Sequence, residues 1–537
     1  MSHRTLTAPP PRWRRSPRST TLPYTLAVLC ALGCLPKLRE LTGSLAQPDG
    51  GSAGSNGAGT SGNEAGATPN TLLGDAGAAD AGSDAGCPST ACPPFFRSLD
   101  DTVLALLADS ITLNAETAIN TRYLVLNHRR SAGVCGAELD AERWALSKLL
   151  NGTSTVFELR QPYALDPEQT LYRIDLRDYG WDRAVSVGGV SFGDAWEALA
   201  VEIPFALPFE GPQAYLLVSN TGTTIPFLPA DAFVRAASSG EMYYALTGAP
   251  ATLSQLLTAL PVDVQGDVTQ RRAARAGFRA SRESGLERVV ERHPFAAGRV
   301  YWQATDLAAG SDPLGNPLTF TAASTLAVYG LPNRMPAFFI ADAAGNRQNT
   351  INHGGGVLQN AVSCLGCHLE GVLPALDEVR PYAASSSLSA SDLTRVNDLY
   401  LPADELSELF ETDRATYATA LGAAGAPVCS GACCGPSVDP VSATAQRFDA
   451  ELSFADVLGD LFTTPETFAA GAYLLDPRLA ALQSGGTIAR ATFAELYVAS
   501  LCVLATLPVQ GQVPRNLPAA VLCDPSLAPP APPDAGP

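Results

Sequence analysis

Apolar side chains recur every three or four positions from Asp100 to Asn114, and again from Ala137 to Leu150 around Leu139, Trp144 and Leu149. That spacing predicts two helices with one buried face each. Between about Thr170 and Pro229 the period changes. In Leu171 to Asp178 the apolar Tyr172, Ile174 and Leu176 alternate with Arg173, Asp175 and Arg177, which predicts a half-buried strand and places those charges on its solvated face rather than in a catalytic cluster. Ala214 to Val218 and Thr223 to Leu228, separated by Asn220-Thr221-Gly222, predict a hairpin. Val300 to Thr305 predicts another strand, and Leu326 to Gly330 with Ala337 to Ala341 a hairpin turning at Pro332-Asn333-Arg334. After residue 400 the pattern is helical. Leu406, Leu409, Phe410, Tyr417 and Leu421 share a face, as do Phe454, Val457, Leu458, Leu461 and Phe462 behind the cap Ser453 with Asp456 three later. Thr464-Pro465 opens a further helix, Gly485-Gly486 stops one, and Phe493, Leu496, Tyr497, Leu501 and Leu504 line the last. The fold class is therefore α+β: a mixed helix and strand body at 95–298, a strand hairpin and the segment after it at 299–385, and a mainly helical region at 386–510. No internal repeat of about 20 to 50 residues is apparent.

The two ends read differently. An Arg-rich stretch ending at Arg18 precedes an apolar run from Leu22 to Leu35, the length of a signal-peptide core and shorter than the ~18 residues that span a bilayer. Residues 1–33 are expected to be a signal peptide. Ala31-Leu32-Gly33-Cys34 resembles the lipobox of bacterial lipoproteins, with Ala31 where that motif usually has Leu, and implies lipidation of Cys34 and attachment to a membrane. A cut after Ala46 in Ser44-Leu45-Ala46 would instead give a soluble exported protein. Arg14-Arg15 lacks the apolar pair that a twin-arginine signal prefers, since Ser16 and Pro17 follow. Residues 34–94 are rich in Gly, Ala, Ser and Asp, with Asp-Ala-Gly at residues 75, 80 and 84, and are expected to be a disordered linker spanning roughly 35 Å. The Pro/Ala-rich residues 511–537 are expected to be a disordered tail.

Composition narrows the function classes. At 537 residues and 46% hydrophobic, the chain can bury more than one core of ordinary domain size. The net charge of −18 excludes a nucleic-acid partner, because phosphate backbones are bound through clustered Lys and Arg. Loss of the signal peptide, with five arginines and no acid, would make it more acidic still, and such a surface can steer a basic partner. Twelve cysteines fit an oxidising compartment. Eight of them, Cys87, Cys92, Cys135, Cys429, Cys433, Cys434, Cys502 and Cys523, lie outside the leader and the motif described next, enough for four bridges of undetermined connectivity.

The chemistry is concentrated at Cys364-Leu365-Gly366-Cys367-His368. Two thiols at this spacing add to the two vinyl groups of one haem, and the imidazole directly after the second becomes the proximal iron ligand. A thioredoxin-like pair would need a strand leading in and a helix starting between the cysteines, where this chain has Gly354-Gly355-Gly356 shortly before. A zinc site would need a second Cys or His pair, and none is near in sequence. No Met or His follows His368, so a Met or His as sixth ligand comes from upstream: His128, Met242, His293, Met335 or His353. His353 and Met335 rank first, the former for its nearness and the glycines after it, the latter for its place at the hairpin turn.

Several strings resemble a family of predicted exported bacterial proteins with a single-haem cytochrome c domain, over most of residues 95–505. Arg122-Tyr123-Leu124 with His128, Ala145 through Asn151, and Arg173 through Tyr179 are similar to its N-terminal block. Arg275-Ala276-Gly277-Phe278, Glu291-Arg292-His293, Leu331-Pro332-Asn333 and Ser363 through His368 are similar to its centre. The family often has a His ahead of the Leu-Pro-Asn turn, at a place that falls on Ala322 here, which would leave Met335 or His353 to ligate. The resemblance implies one haem c and says little about reaction. Three functions follow as expectations: one-electron transfer to a redox partner protein in the periplasm or at the outer membrane or cell surface of a Gram-negative bacterium; a peroxidase-like haem enzyme with an open sixth position; or a sensing or binding lipoprotein whose α+β part takes a ligand.

Overall fold

The computed structural model describes residues 92–281, 284–353, 356–426 and 438–523. The expected signal peptide, Cys34, nearly all of the linker, and Cys87, Cys429, Cys433 and Cys434 lie outside them. The fold is mixed α+β, as the periodicity predicts.

The N-terminal body opens with α1 (Leu99–Ser110), capped by Ser98, and α2 (Ala115–Asn120), which runs into β1 (Thr121–Val125). A short α3 (Asn127–Ser131) and the long α4 (Gly136–Gly152) follow. β3 (Leu171–Asp175) pairs antiparallel with β1, and β2 (Tyr163–Ala164) pairs antiparallel with β3. β3 is shorter than the alternation suggests, because a 3₁₀ turn takes over at Leu176. Its charges are held in pairs: Arg173 meets Asp109 at 2.6 Å, and Arg177 forks onto Asp175 at 3.0 and 2.7 Å. The small hairpin β4 (Val185–Val187) and β5 (Val190–Phe192) leads to α5 (Ala195–Glu202) and β6 (Phe209–Glu210).

The hairpin expected at 214–228 is a correction. Pro212 starts α6 (Pro212–Thr221), Gly222 ends it in the left-handed region, and only β7 (Phe227–Pro229) is a strand, parallel to β1. Asn220-Thr221-Gly222 is a helix C-terminus, not a turn. Ala214, Leu217 and Thr221, on one helical face, are buried, and α6 packs against α1. Four helices follow: α7 (Ala230–Ala237), α8 (Gly240–Thr247), α9 (Leu253–Ala259) and α10 (Val264–Thr269).

The second sheet is an antiparallel meander of β8 (Ala274–Phe278), β9 (Arg288–Phe295), β10 (Arg299–Leu307), β11 (Ala322–Gly330) and β12 (Pro336–Asp342). The expected hairpin is β11 and β12, in register from Ser324 opposite Asp342 to Gly330 opposite Pro336. A ribbon of β13 (Thr350–His353) and β14 (Gly356–Gln359) then delivers the chain to α11 (Val362–Cys367).

The remainder is helical: α12 (Val379–Ala383), α13 (Ala390–Leu399), α14 (Ala403–Ala423), α15 (Pro440–Asp449), α16 (Phe454–Asp460), α17 (Pro465–Gly471), α18 (Pro477–Ala480) and α19 (Arg490–Leu504). Ser453 and Asp456 form the expected capping box of α16. Parts of both segments expected to be disordered, residues 92–94 and 511–523, are held in the fold. Cys92 is bonded to Cys135, and the Pro93 carbonyl accepts from Arg130 at 2.8 Å. At the other end β15 (Leu517–Pro518) pairs with β6, and α20 (Ala520–Cys523) is tied to α19 through Cys502–Cys523. No helix of the described residues is long and apolar enough to cross a membrane.

One core joins all three expected regions: Leu146 and Trp196, Phe338 and Leu365, and Tyr417 and Phe493 belong to the same buried cluster. Beside it a charged network links the N-terminal body to the C-terminal helices. His128 Nε2 lies 2.8 Å from Asp231, Arg129 reaches Glu142 at 3.0 Å and Asp456 at 2.7 Å, and Arg490 holds Asp460 at 2.7 Å. The helices meet closely there, since a Cβ on Gly459 of α16 would stand 2.3 Å from the His128 carbonyl oxygen. Burial alone would lower the His128 imidazolium, but Asp231 and Asp460 outweigh it and raise the group above 6.5. Asp231 is held well below the usual carboxylate range, against its own burial, by His128, Arg490 and Arg129.

The stability that the His128–Asp231 pair contributes is therefore complete below about pH 6.5, the unfolded value of the imidazole, and is lost as pH rises through its higher folded value. Asp231 would release its share only in strong acid. Thermal melting followed between about pH 6 and 9 should show stability falling with pH in the parent chain, and a shallower fall in His128→Gln.

Candidate haem-attachment site

The motif occupies one helical turn. Cys364 and Cys367 stand at i and i+3 in α11, and His368 follows as its C-cap. Ala361, fully buried with φ of 62°, turns the chain out of β14 into that helix. The His368 amide donates to the Cys364 carbonyl at 2.8 Å and closes the turn. His368 Nδ1 lies 2.9 Å from the Gly371 carbonyl oxygen. A carbonyl only accepts, so Nδ1 carries the proton and a metal held by this ring is held through Nε2. Gly371 makes the arrangement possible: its φ is 103°, and a Cβ there would press on Tyr417 Cδ1 at 3.1 Å.

His368 borders a cleft open to solvent on one side and walled by Val300, Trp302, Val328, Tyr329 and Tyr417, with Arg299, Arg334 and Asp413 among its polar residues. Its walls are fixed before any ligand enters. Trp302 stacks on Phe410 at 4.6 Å and donates its indole N–H to Asp413 at 2.8 Å. Asp413 is clamped in turn by Arg292 at 2.8 and 2.9 Å. Phe338 approaches the His368 ring with 5.7 Å between centroids.

α11 is positioned from behind. Ser442 of α15 donates its hydroxyl to the Val362 carbonyl at 2.7 Å. Asp439 accepts from the Val441 and Ser442 amides at the start of α15 and also receives Lys148 Nζ of α4. That ion pair is buried on both sides, with side-chain exposures of 3% and 0%. Burial would depress the Lys148 ammonium, but Asp439 and Tyr417 more than restore it, and its ammonium lies 5.5 Å from the Tyr417 ring centre.

The candidate sixth ligands separate clearly. His128 and His293 are buried and engaged, the first with Asp231 and the second with Asp267 at 3.2 Å. Burial lowers the His293 imidazolium. Met242 is packed in the core on α8. None of these lines the cleft. Met335, 1% exposed, lies next to the motif but in a separate small cavity with Leu365, Lys148 and Tyr243, beyond Pro336 and Tyr417, which border both spaces. The His353 backbone ends β13 opposite Gly356, and its side chain lies outside the described residues. Among the described residues there is no cluster of three or more His, Cys, Asp or Glu suited to a metal ion.

The histidine tautomer suits an iron ligand, but neither Cys364 nor Cys367 lines the cleft that His368 borders, and the sulfurs are arranged for something else. Cys364 is half-buried against the core, and burial pushes its thiol up to about 12. Cys367 is disulfide-bonded. A thioether and a disulfide at Cys367 exclude one another, so haem attachment requires that bridge to be absent. Arg299, Trp302, Arg334, Asp413 and Tyr417 are not visible as site residues in the sequence. Lys148 carries a signal: it is the only lysine after residue 37, and it sits in the apolar run Ala145 to Leu150.

Lys148→Ala should cost about 3–5 kcal/mol by leaving the Asp439 carboxylate buried without its partner. Lys148→Met with Asp439→Asn, which keeps a capping side chain, should recover much of that loss in chemical denaturation. Comparisons with protein-family models, with curated proteins and with solved structures found no match for this chain.

Proposed function

We propose that this chain is a c-type cytochrome carrying one haem on Cys364 and Cys367, with His368 Nε2 as proximal ligand, and that it passes single electrons to a partner protein outside the cytoplasm. The observation that carries the reading is His368: it closes a Cys-x-x-Cys-His turn, its Nδ1–H is fixed on the Gly371 carbonyl, and it borders a prebuilt apolar cleft. A carbonyl partner on the second ring nitrogen is how metal-binding histidines are oriented. A haem bound here supplies a ferric/ferrous couple. Val300, Trp302, Val328 and Phe338 limit water near the His368 ring, and the open side of the cleft brings a partner within reach of it. Cys92–Cys135 and Cys502–Cys523 support an oxidising compartment. The same reading keeps the chain with the exported haem proteins that its strings resemble, with lipid attachment at Cys34 as the proposed anchor.

A peroxidase-like enzyme is the second reading. It is favoured by the observation that, among the described residues, His368 is the only His or Met on the cleft.

Produced with a haem c maturation system, the protein should retain haem on a denaturing gel, and Cys364→Ala with Cys367→Ala should lose it. Covalent haem unchanged in that double variant overturns the proposal. So does a parent chain without haem whose peptide map returns Cys367 in a disulfide. A low-spin ferric spectrum supports electron transfer; a high-spin one that responds to cyanide moves the reading to the enzyme.

A further inference from the structure

A pocket that shares no residue with the His368 cleft opens where the start of α1, the end of α16, α19 and the segment after α19 meet. Leu99, Leu461, Phe462, Leu501, Leu504 and Val509 give it apolar walls. Its floor holds a hydroxyl without a partner. Thr463, 3% exposed, lines the pocket, and its Oγ1 is buried with no hydrogen-bond partner among the described residues. A hydroxyl taken out of water costs free energy that is recovered only when something bonds to it. The turn that presents it is well defined: Phe462, with φ of 50°, leaves α16 in the left-handed region, and the Thr463 amide donates to the Leu458 carbonyl at 3.1 Å.

The outer wall is formed by residues 509–518, and it is fastened in place. Val509 and Gln512 exchange both backbone hydrogen bonds at 2.9 and 3.0 Å, the Pro508 carbonyl accepts from Thr467 Oγ1 at 3.0 Å, and Cys502–Cys523 closes the loop that contains the wall. Asp100 accepts from the Arg515 and Asn516 amides at 2.8 and 2.7 Å and from Asn516 Nδ2 at 2.6 Å, so both of its carboxylate oxygens are filled. Asp101 differs. It is exposed at the mouth, its Oδ2 accepts the Ser98 hydroxyl at 2.7 Å, and its Oδ1 has no partner among the described residues. No Lys, Arg or His of the described residues lines the pocket.

We infer that this pocket binds a small apolar amine that carries a hydrogen-bonding group at its buried end. The apolar body lies against the leucines and Phe462, the buried polar group meets Thr463 Oγ1, and the ammonium meets Asp101 at the mouth. An apolar cavity with a few placed polar groups is the usual form of a small-molecule site. Charge selects the amine: the charged side chains on the pocket are carboxylates, which repel an anion, and an ammonium donating to a carboxylate makes a stronger bond than a neutral donor does. The inference stands apart from the cytochrome reading and shares no residue with it.

Titration calorimetry of the full chain near neutral pH, with tyramine as the probe, tests this. Tyramine should bind with one site per chain, and phenethylamine, which lacks the phenol hydroxyl, about fivefold more weakly. The anion 3-(4-hydroxyphenyl)propionate should not bind measurably. Thr463→Val should make the two amines equal, Asp101→Asn should weaken both alike by up to about fivefold, and Ala505→Phe, which fills the pocket, should abolish binding. Without ligand, Thr463→Val should melt no lower than the parent, because the hydroxyl it removes has no partner to lose. Tyramine that fails to bind overturns the inference. So does tyramine binding that Asp101→Asn and Ala505→Phe leave unchanged, which is attraction to the acidic surface at large, and so does a Thr463→Val chain that melts below the parent, which makes the hydroxyl structural. Covalent haem, present or absent, moves none of these results.

Discussion

Lys148 and Asp439 bring a full positive and a full negative charge together inside the protein, 291 residues apart in sequence. Removing two ions from water is expensive, and the cost is recovered only when the pair is tight and its other hydrogen-bonding sites are filled. Here Asp439 fills them by accepting two amides at the start of α15. The pair thus docks α15 on α4, and α15 holds α11 through Ser442. Tyr417, beside the Lys148 ammonium, forms part of the wall that faces His368. The position of the Cys-x-x-Cys-His turn follows from an ion pair that contains none of its residues.

The same principle operates on a larger scale around Arg129. Its guanidinium meets Glu142 of α4 and Asp456 of α16, while His128 and Arg490 hold Asp231 and Asp460. These side chains come from both ends of the described chain, and each charge has an opposite neighbour. The cleft rim differs. Arg299 and Arg334 have no carboxylate partner among the described residues, next to an aspartate already satisfied by Arg292 and Trp302. Charges inside the body are closed against one another, whereas those on the rim face outward into the cleft.

Much of the secondary structure was legible because local signals agreed with burial. The stripe of α4, the capping box of α16 and the β11–β12 hairpin all appear where periodicity and caps place them. α6 was misread as a hairpin because Asn-Thr-Gly marks a turn and a helix C-terminus equally well. The decision lay in Pro212 ten residues earlier and in the α1 surface waiting to bury Ala214 and Leu217. The tail was misread for a related reason. Residues 511–523 are poor in apolar periodicity and are held instead by distant partners, through β6, Asp100 and the disulfide to Cys502.

The sequence by itself determined the α+β class, the spacing of the Cys364 to His368 motif, and the short list of upstream Met and His residues. Those are matters of residue identity and spacing, which a chain carries before it folds. Only the tertiary structure decided that His128 and His293 are consumed by buried aspartates, that Met335 lies behind Pro336 and Tyr417, that Cys367 is engaged in a disulfide, and that Arg299 and Arg334 reach the cleft without a carboxylate among the described residues. Each of these depends on which side chain fills a group's bonding capacity, and that is settled by packing between segments rather than by spacing along the chain.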